Sequence, residues 1–271
     1  MKEQVLTSPF GSEEFLNLAY NFSESNKQQL NNYVINDKVV MNTGHRDFID
    51  YRPEITLTNE ELHKNNVEKV ILDSLHYFQI KDGLCNLHYK EAVITKSDIA
   101  VTLPLASSYD AYLLGLSKKK RHELKRKKRN FEKEITDGVL MESKDNDIFK
   151  EFINQHRSSD GEKGSFMTEE FESFFYDLLQ LENWKIYYLE FKNTVISTAF
   201  CYENENGCYL YNSSRNKQFN HLNPGIVIND MIIKNLIEKG KTFFDFLKGT
   251  ERYKYDLGGQ SVQLYDLQIK I

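Results

Sequence analysis

The chain has 271 residues, 40% hydrophobic and 13% aromatic, enough to bury a sizeable core in one large domain or two small ones. That composition excludes a disordered chain, and a net charge of −5 gives no global attraction for a polyanion. The opening MKEQVLTSPFGSEEF has no apolar run of signal-peptide length, and no segment approaches the ~20 apolar residues that span a bilayer, so a cytoplasmic protein is expected.

In chain order, YVINDKVVMN reads as a hairpin turning at Asn36-Asp37. EELHKNNVEKVILDSLHYF has the spacing of an amphipathic helix, and GLCNLHY and IAVTLPL read as strands. Tyr109 to Thr136 is a long helical stretch dense in charge, closed by Asp137-Gly138. VLMESK then predicts a strand and NDIFKEFINQHRSS a helix. TEEFESFFYDLLQLEN predicts another, with Glu169 and Glu170 loading its first turn with the favoured charge. WKIYYLEFKN, TVISTAFCYEN and CYLYNSSRN follow as antiparallel strands turning at Lys192-Asn193 and Asn206-Gly207. Asn223 is placed to cap a helix, Pro224 suits its first position, and Gly225 lets a partner approach the backbone; Lys239-Gly240 ends it. Thr242 to Leu247 is short and aromatic and reads as a buried strand, with a short helix after Gly249.

Three cysteines, Cys85, Cys201 and Cys208, have no metal-ligand spacing. Cys201 and Cys208 flank the ENENG turn, either facing each other across a hairpin or staying as buried thiols in a reducing compartment. The histidines at 45, 63, 76, 88, 122 and 221 form no HExxH or comparable pattern, so no metal is expected. The run KKKRHELKRKKR from Lys118 to Arg129 is basic almost all round. It fits either a solvated connecting helix or a phosphate-rich partner such as tRNA, a nucleotide-linked sugar or lipid, or an anionic membrane surface. Its basic residues are not interleaved with aromatics before Phe131, which counts against binding single strands by stacking.

The strand, capped helix and strand from Cys208 to Leu247 leave a helix N-terminus free to hold an anion, though a βαβ unit that only folds would look the same. The proline-glycine helix start followed by FDFLKGTERYK resembles the cellulose-biosynthesis, CelD-like branch of the GNAT acyltransferases, relatives of the Fem-type aminoacyltransferases. IDYRPEI at Ile49, YLLGLSKKKRHELKRKKRNFEKE from Tyr112 and FINQHRSSDGEKGSF from Phe152 extend the resemblance from roughly Asn42 to Lys254. It implies an α+β fold with a mixed sheet: a degenerate N-terminal GNAT-like half over 1–108, a basic connecting helix over 109–138 and a complete GNAT domain over 139–271.

The resemblance also implies a site. An acyl-coenzyme A would lie between Cys208–Asn216 and Thr242–Leu247, pairing with one of them like an added strand. Its pyrophosphate would rest on the amides of Gly225, Ile226 and Val227 beside the cap at Asn223. Many GNAT members carry an arginine- or glutamine-led glycine loop here, whereas this chain has His221-Leu222-Asn223-Pro224-Gly225. Strand amides near Tyr211 and Asn212 would meet the oxyanion. Asp245, among aromatics, is the candidate base or else a structural carboxylate. Tyr253 is the candidate acid for the departing thiolate, and Lys254 would steer a phosphate or an acidic substrate. Glu251 is a weaker candidate, a favourable end charge on a helix. His156 and Arg157 would border the acceptor pocket. The expected reaction is transfer from acetyl- or another acyl-coenzyme A to a small-molecule amine, plausibly an amino sugar in polysaccharide or cell-envelope assembly. The alternatives are aminoacyl-tRNA as donor and a catalytically silent binding protein.

Overall fold

The computed structural model describes residues 7–23 and 26–271; the first six residues of the opening read above lie outside the described residues. The chain divides into two compact units, one made of residues 1–100 and 261–271 and the other of residues 101–260. These units divide at 100/101 and 260/261. The basic helix lies within the second unit, and the end of the chain belongs to the first.

The first unit opens with α1 (Glu13–Ser23) and the short strands β1 (Gln28–Leu30), β2 (Tyr33–Asn36) and β3 (Val39–Asn42). It continues through α2 (Asn59–Lys64), β4 (Lys69–Leu75) and α3 (Tyr77–Leu84) into β5 (Glu91–Pro104), and it takes β11 (Gln260–Lys270) from the end of the chain. The hairpin β2–β3 turns on Asp37 and Lys38, both at positive φ (46° and 67°), the two left-handed residues that match the twist of the flanking strands. Strand β4 runs parallel to β3 and antiparallel to β11. The expected helix over residues 60–78 is therefore three elements. Thr58 and Glu61 form a reciprocal capping box that starts α2, but Asn66 at φ 51° stops it, and Lys69–Leu75 has the β-branched residues of a strand buried against Leu267 and Ile269. GLCNLHY is likewise the end of α3 and a loop rather than a strand.

Arg52, from the IDYRPEI segment, is 1% exposed and forks onto both oxygens of Asp73 (3.0 and 2.9 Å). The rest of its guanidinium donates to the carbonyls of Thr43 and Gly44 (2.7 and 3.0 Å), so each of its three nitrogens has an acceptor. Its amide donates to the carbonyl of Ser74, past the point where β3 and β4 stop pairing at Met41 and Ile71. The segment carrying Arg52 thus takes the place beside β4 that β3 vacates.

In the second unit, α4 (Tyr109–Gly115) and α5 (Lys118–Glu134) replace the single helix expected from Tyr109 to Thr136. The chain breaks between them, where the hydroxyl of Ser117 caps α5 at the amide of Lys120. Then come β6 (Val139–Ser143), α6 (Asn146–Arg157), α7 (Glu162–Phe166), α8 (Glu169–Gln180), β7 (Trp184–Phe191), β8 (Thr194–Glu203), β9 (Gly207–Arg215), α9 (Pro224–Glu238), β10 (Phe243–Lys248) and α10 (Arg252–Asp256). The strand order is the end of β5, then β10, β9, β8, β7, β6, with β9 and β10 parallel and β6 to β9 antiparallel. On one face Ile228, Ile232 and Leu236 of α9 pack with Leu124 and Phe131 of α5, Phe244 and Phe246. Elsewhere in the unit Phe152, Phe175, Trp184, Phe200 and Tyr211 form a network of rings 5.1–6.5 Å apart. Lys192 and Asn193 turn β7 into β8 at positive φ, as the sequence predicts. The Asn206-Gly207 turn differs, because neither residue has positive φ. Asn204 Oδ1 accepts the amides of residues 206 and 207, and Gly207 is needed because a Cβ there would sit 2.6 Å from the carbonyl oxygen of Phe243. Cys201 and Cys208 are buried free thiols. Among the described residues no helix is long and apolar enough to cross a membrane.

His76 precedes α3 with its ring 5.0 Å from that of Tyr51 and 5.8 Å from that of Phe78. Burial lowers its pKa from 6.5 to about 4. The unfolded chain binds this proton near pH 6.5 and the folded chain does not, so the contribution is complete above pH 6.5 and is lost as the pH falls toward 4. Urea unfolding across that range should show a loss of about 3 kcal/mol that His76→Phe removes. An unchanged slope in the variant would assign the loss to another group.

Candidate functional site

Strands β9 and β10 pair at Phe243 with Gly207, Phe244 with Cys208 and Asp245 with Tyr209, and then part. Strand β9 continues beside β8 as far as Arg215, while β10 turns away because Leu247 is left-handed, at φ 60°. For a residue with a Cβ that conformation costs on the order of 1–2 kcal/mol, and two side chains hold it. Asp245, 1% exposed, accepts the Leu247 amide at 2.7 Å. Lys254, 3% exposed, places its ammonium among the carbonyls of Leu247, Lys248 and Gly249 and 3.0 Å from Glu251. Lys254 thus places its ammonium on backbone oxygens, and Asp245 supports the turn, which is the structural alternative to a base.

Opposite the departing strand, the register of β9 slips. Phe200 pairs with Asn212 and Cys201 with Leu210, leaving Tyr211 as the extra residue of a bulge. Bulges re-aim the groups beside them, and here the bulge lies within the opening between β9 and β10. The ring of Tyr211 packs on Phe175 and Trp184. Asn212 Oδ1 accepts the Ser213 amide at 2.7 Å and lies 3.1 Å from His156 Nε2. An oxygen that already accepts from an amide can only accept again, so His156 carries its proton on Nε2 and Asn212 turns its amide nitrogen the other way. His156 is buried, its ring 6.0 Å from Phe152 and 5.9 Å from Phe166. The structure thus joins His156 to Asn212. It does not do the same for Arg157, which points elsewhere and binds the carbonyl of Met167 (2.9 Å) and Glu172 (2.7 Å), fastening α6 to α8 and to the chain before it.

The start of α9 also differs from its expected form. Asn223 is left-handed (φ 55°, ψ 47°) and makes no side-chain cap; its Nδ2 reaches the His221 carbonyl at 3.4 Å. Its own carbonyl accepts the amides of Ile226 (3.0 Å) and Val227 (3.2 Å), so these two are not offered to a ligand. The Gly225 amide precedes the first of those bonds. A Cβ on Gly225 would meet nothing within 4 Å, so the space beside it is open to an approaching group.

Two features are not legible from motifs. Asp230, fully buried on α9, receives the Tyr109 hydroxyl at 2.8 Å and lies 2.7 Å from Lys128 of the basic helix. Burial, then the carboxylate, pushes the Tyr109 phenol far up. Helix α5 is thereby tied to α9 through a charge that sequence reading counts as solvated. A fully buried Asp at a helical position otherwise reserved for Ile and Leu is the signal that was available. Tyr253, its ring 6.0 Å from Phe246, lines a cavity of about 850 Å³ with residues of α5. Burial, then Glu251, raises its pKa, so the phenol stays protonated through neutral pH.

Residues 118–255, just over half of the chain, match the family model described as an acetyltransferase (GNAT) domain. Among solved structures, the chain resembles a conserved protein of unknown function from Bacteroides thetaiotaomicron at 10% identity and a TM-score of 0.59, covering 99% of this chain and 96% of that one. It also resembles the C-terminal domain of a putative lysylphosphatidylglycerol synthetase from Agrobacterium fabrum (11%, 0.56, covering 95% and 92%) and FemX (13%, 0.55, covering 76% and 73%). At these identities the likeness is one of fold. No curated protein matches significantly.

The Lys254 arrangement is directly testable. Lys254→Met leaves buried carbonyls and Glu251 without their cation and should cost about 3 kcal/mol in urea unfolding. A loss below ~0.5 kcal/mol, typical of a surface lysine, would refute the structural assignment.

Proposed function

Because the chain belongs to the acetyltransferase (GNAT) domain family, we propose that it is an N-acyltransferase whose donor is acetyl- or another acyl-coenzyme A, bound where β9 and β10 part. The observation that carries this reading is that opening itself: a parallel pair held apart by a left-handed Leu247, with a bulged strand on one side and the open space at Gly225 nearby. The donor, when bound, supplies an activated thioester carbon. The amides of β9 beside Tyr211 and the Asn212 side chain are the donors available to its carbonyl oxygen. The Gly225 amide, at the positive end of α9, suits the pyrophosphate, with Asn223, Ile226 and Val227 building the helix start rather than contacting it. Tyr253 holds the proton for the departing sulfur. The acceptor amine attacks in its neutral form, a C–N bond replaces the C–S bond, and the amine proton leaves to solvent. His156 acts through Asn212, as a positioning residue.

The CelD-like branch, an amino sugar of polysaccharide assembly as acceptor, and a cytoplasmic location, which goes with a coenzyme A donor, belong to the same proposal. So does a duplicated architecture. The order β1, β2, β3, α2, β4, α3, β5 repeats as β7, β8, β9, α9, β10, α10, β11. The fourth strand of each series is parallel to the third and carries a left-handed residue near its end, Ser74 or Leu247. Each unit closes with the other series' final strand: β11 lies next to β4, and the end of β5 lies next to β10.

Acetyl-coenzyme A at ~100 times its dissociation constant should stabilise the chain by about 2.7 kcal/mol, read as a rise in Tm that survives moderate salt. A flat response, with salt-sensitive stabilisation by tRNA, would transfer the reading to an aminoacyl-tRNA donor. Silence from both would favour a non-catalytic fold. Tyr253→Phe should lower kcat about 10²-fold or more while leaving coenzyme A affinity intact; unchanged turnover would remove Tyr253 from the mechanism.

A further inference from the structure

Part of the basic run of α5 is held by the protein's own acceptors. Lys120 donates to the Tyr255 carbonyl at 2.8 Å, Arg121 reaches the carbonyls of Leu113, Leu114 and Leu116, Arg126 pairs with Glu123, and Lys128 pairs with Asp230. Lys125 and Arg129 stay exposed and, among the described residues, without an ion-pair or hydrogen-bond partner. The concave part of the charge lies at the start of the helix. Lys118, Lys119, His122 and Lys127 of α5 line the 850 Å³ cavity together with Arg252 and Tyr253. Two carboxylates also line it, and both are occupied: Glu123 with Arg126 at 2.7 Å and Asp256 with Arg252 at 3.5 Å. Among the described residues Lys118, Lys119 and His122 have no ion-pair or hydrogen-bond partner for their side chains, so the lining carries uncompensated positive charge.

The helix itself adds to that charge. The first turn of α5 has no acidic residue and begins Lys118, Lys119, Lys120. Cations at the positive end of a 17-residue helix are unfavourable by the same few tenths of a kcal/mol to ~1 kcal/mol that anions there gain. A local choice that opposes helix stability points to an anion supplied from outside. The volume is that of a small-molecule site.

We propose that this cavity binds the phosphate or pyrophosphate group of a phosphorylated small molecule, the amine acceptor, and holds it beside Tyr253. The proposal rests on the acyltransferase reading for the word acceptor, and on the cavity alone for the phosphate. Lys118 and Lys119 bind the anion, Arg252 faces it from α10, and Tyr253, its ring 6.0 Å from that of Phe246 on β10, lines the same cavity.

The test uses the full chain and inorganic pyrophosphate as probe, by titration calorimetry at low and moderate salt, beside parallel titrations of coenzyme A and of bulk tRNA. Lys118→Gln/Lys119→Gln changes two exposed side chains, and an unchanged Tm checks that it folds. The expected result is pyrophosphate binding that weakens with salt and falls about tenfold in the variant, with coenzyme A affinity unchanged. Three results would overturn it. Pyrophosphate binding that is absent or insensitive to the substitutions removes the site, and coenzyme A binding in the same experiment would leave the acyltransferase reading standing. An equal loss of coenzyme A affinity would make the cavity part of the donor site. Loss of tRNA binding in the variant, with no competition by pyrophosphate, would make the lysines a nucleic-acid contact.

Discussion

Everything about the site follows from one constraint, that two parallel strands must stop pairing at Tyr209 and Asp245. Parallel neighbours normally continue together, since each further pair satisfies backbone groups that would otherwise be buried without partners. Here β10 is turned away at Leu247, and the cost is met locally. Asp245 takes the amide and Lys254 takes the carbonyls, so the turn is closed by a carboxylate and an ammonium that both count as catalytic candidates from sequence. The freed edge of β9, bulged at Tyr211, is what a substrate can use. Charge at this turn therefore serves geometry first, and the proposed chemistry is left to neutral groups: backbone amides, the Asn212 amide and the Tyr253 phenol.

The sequence made the second unit legible where a period was long or a turn had special chemistry. The three antiparallel strands, the turn at Lys192-Asn193, the helix with Ile228, Ile232 and Leu236 buried, and the strand that follows it all form as expected. The first unit was harder to read. In EELHKNNVEKVILDSLHYF, apolar residues at Leu62, Val67, Val70, Leu72 and Leu75 satisfy a helical and a strand period almost equally, and only the paired asparagines mark the break. At the candidate site, some of the residues singled out from sequence meet and others do not. His156 and Asn212 do meet, but Arg157, one residue on, faces a different partner, because successive helical residues point about 100° apart. Asn223 was expected to cap with its side chain and caps with its carbonyl instead, since its left-handed backbone directs the side chain back to His221.

The basic helix shows why formal charge is a poor guide. Read as a string it is a polycation; folded, it is an amphipathic brace. Leu124 and Phe131 enter the core, and Lys128 enters further than a lysine ordinarily does because Asp230 and Tyr109 are there to receive it. The sequence could not show this, because the acceptors for Lys120 and Lys128 lie on α10 and α9, more than a hundred residues away.

The exchange of final strands has a bearing on how the chain is made. Leu267 and Ile269 of β11 belong to the core built by β3, β4 and α2, yet they are synthesised after the whole second unit. A ribosome releases the first hundred residues long before that core can be sealed, so the first unit waits, with one side of β4 unpaired, while the whole second unit emerges and folds. The N-terminal unit is thus the late one, its completion waiting on a strand that follows the whole second unit in sequence.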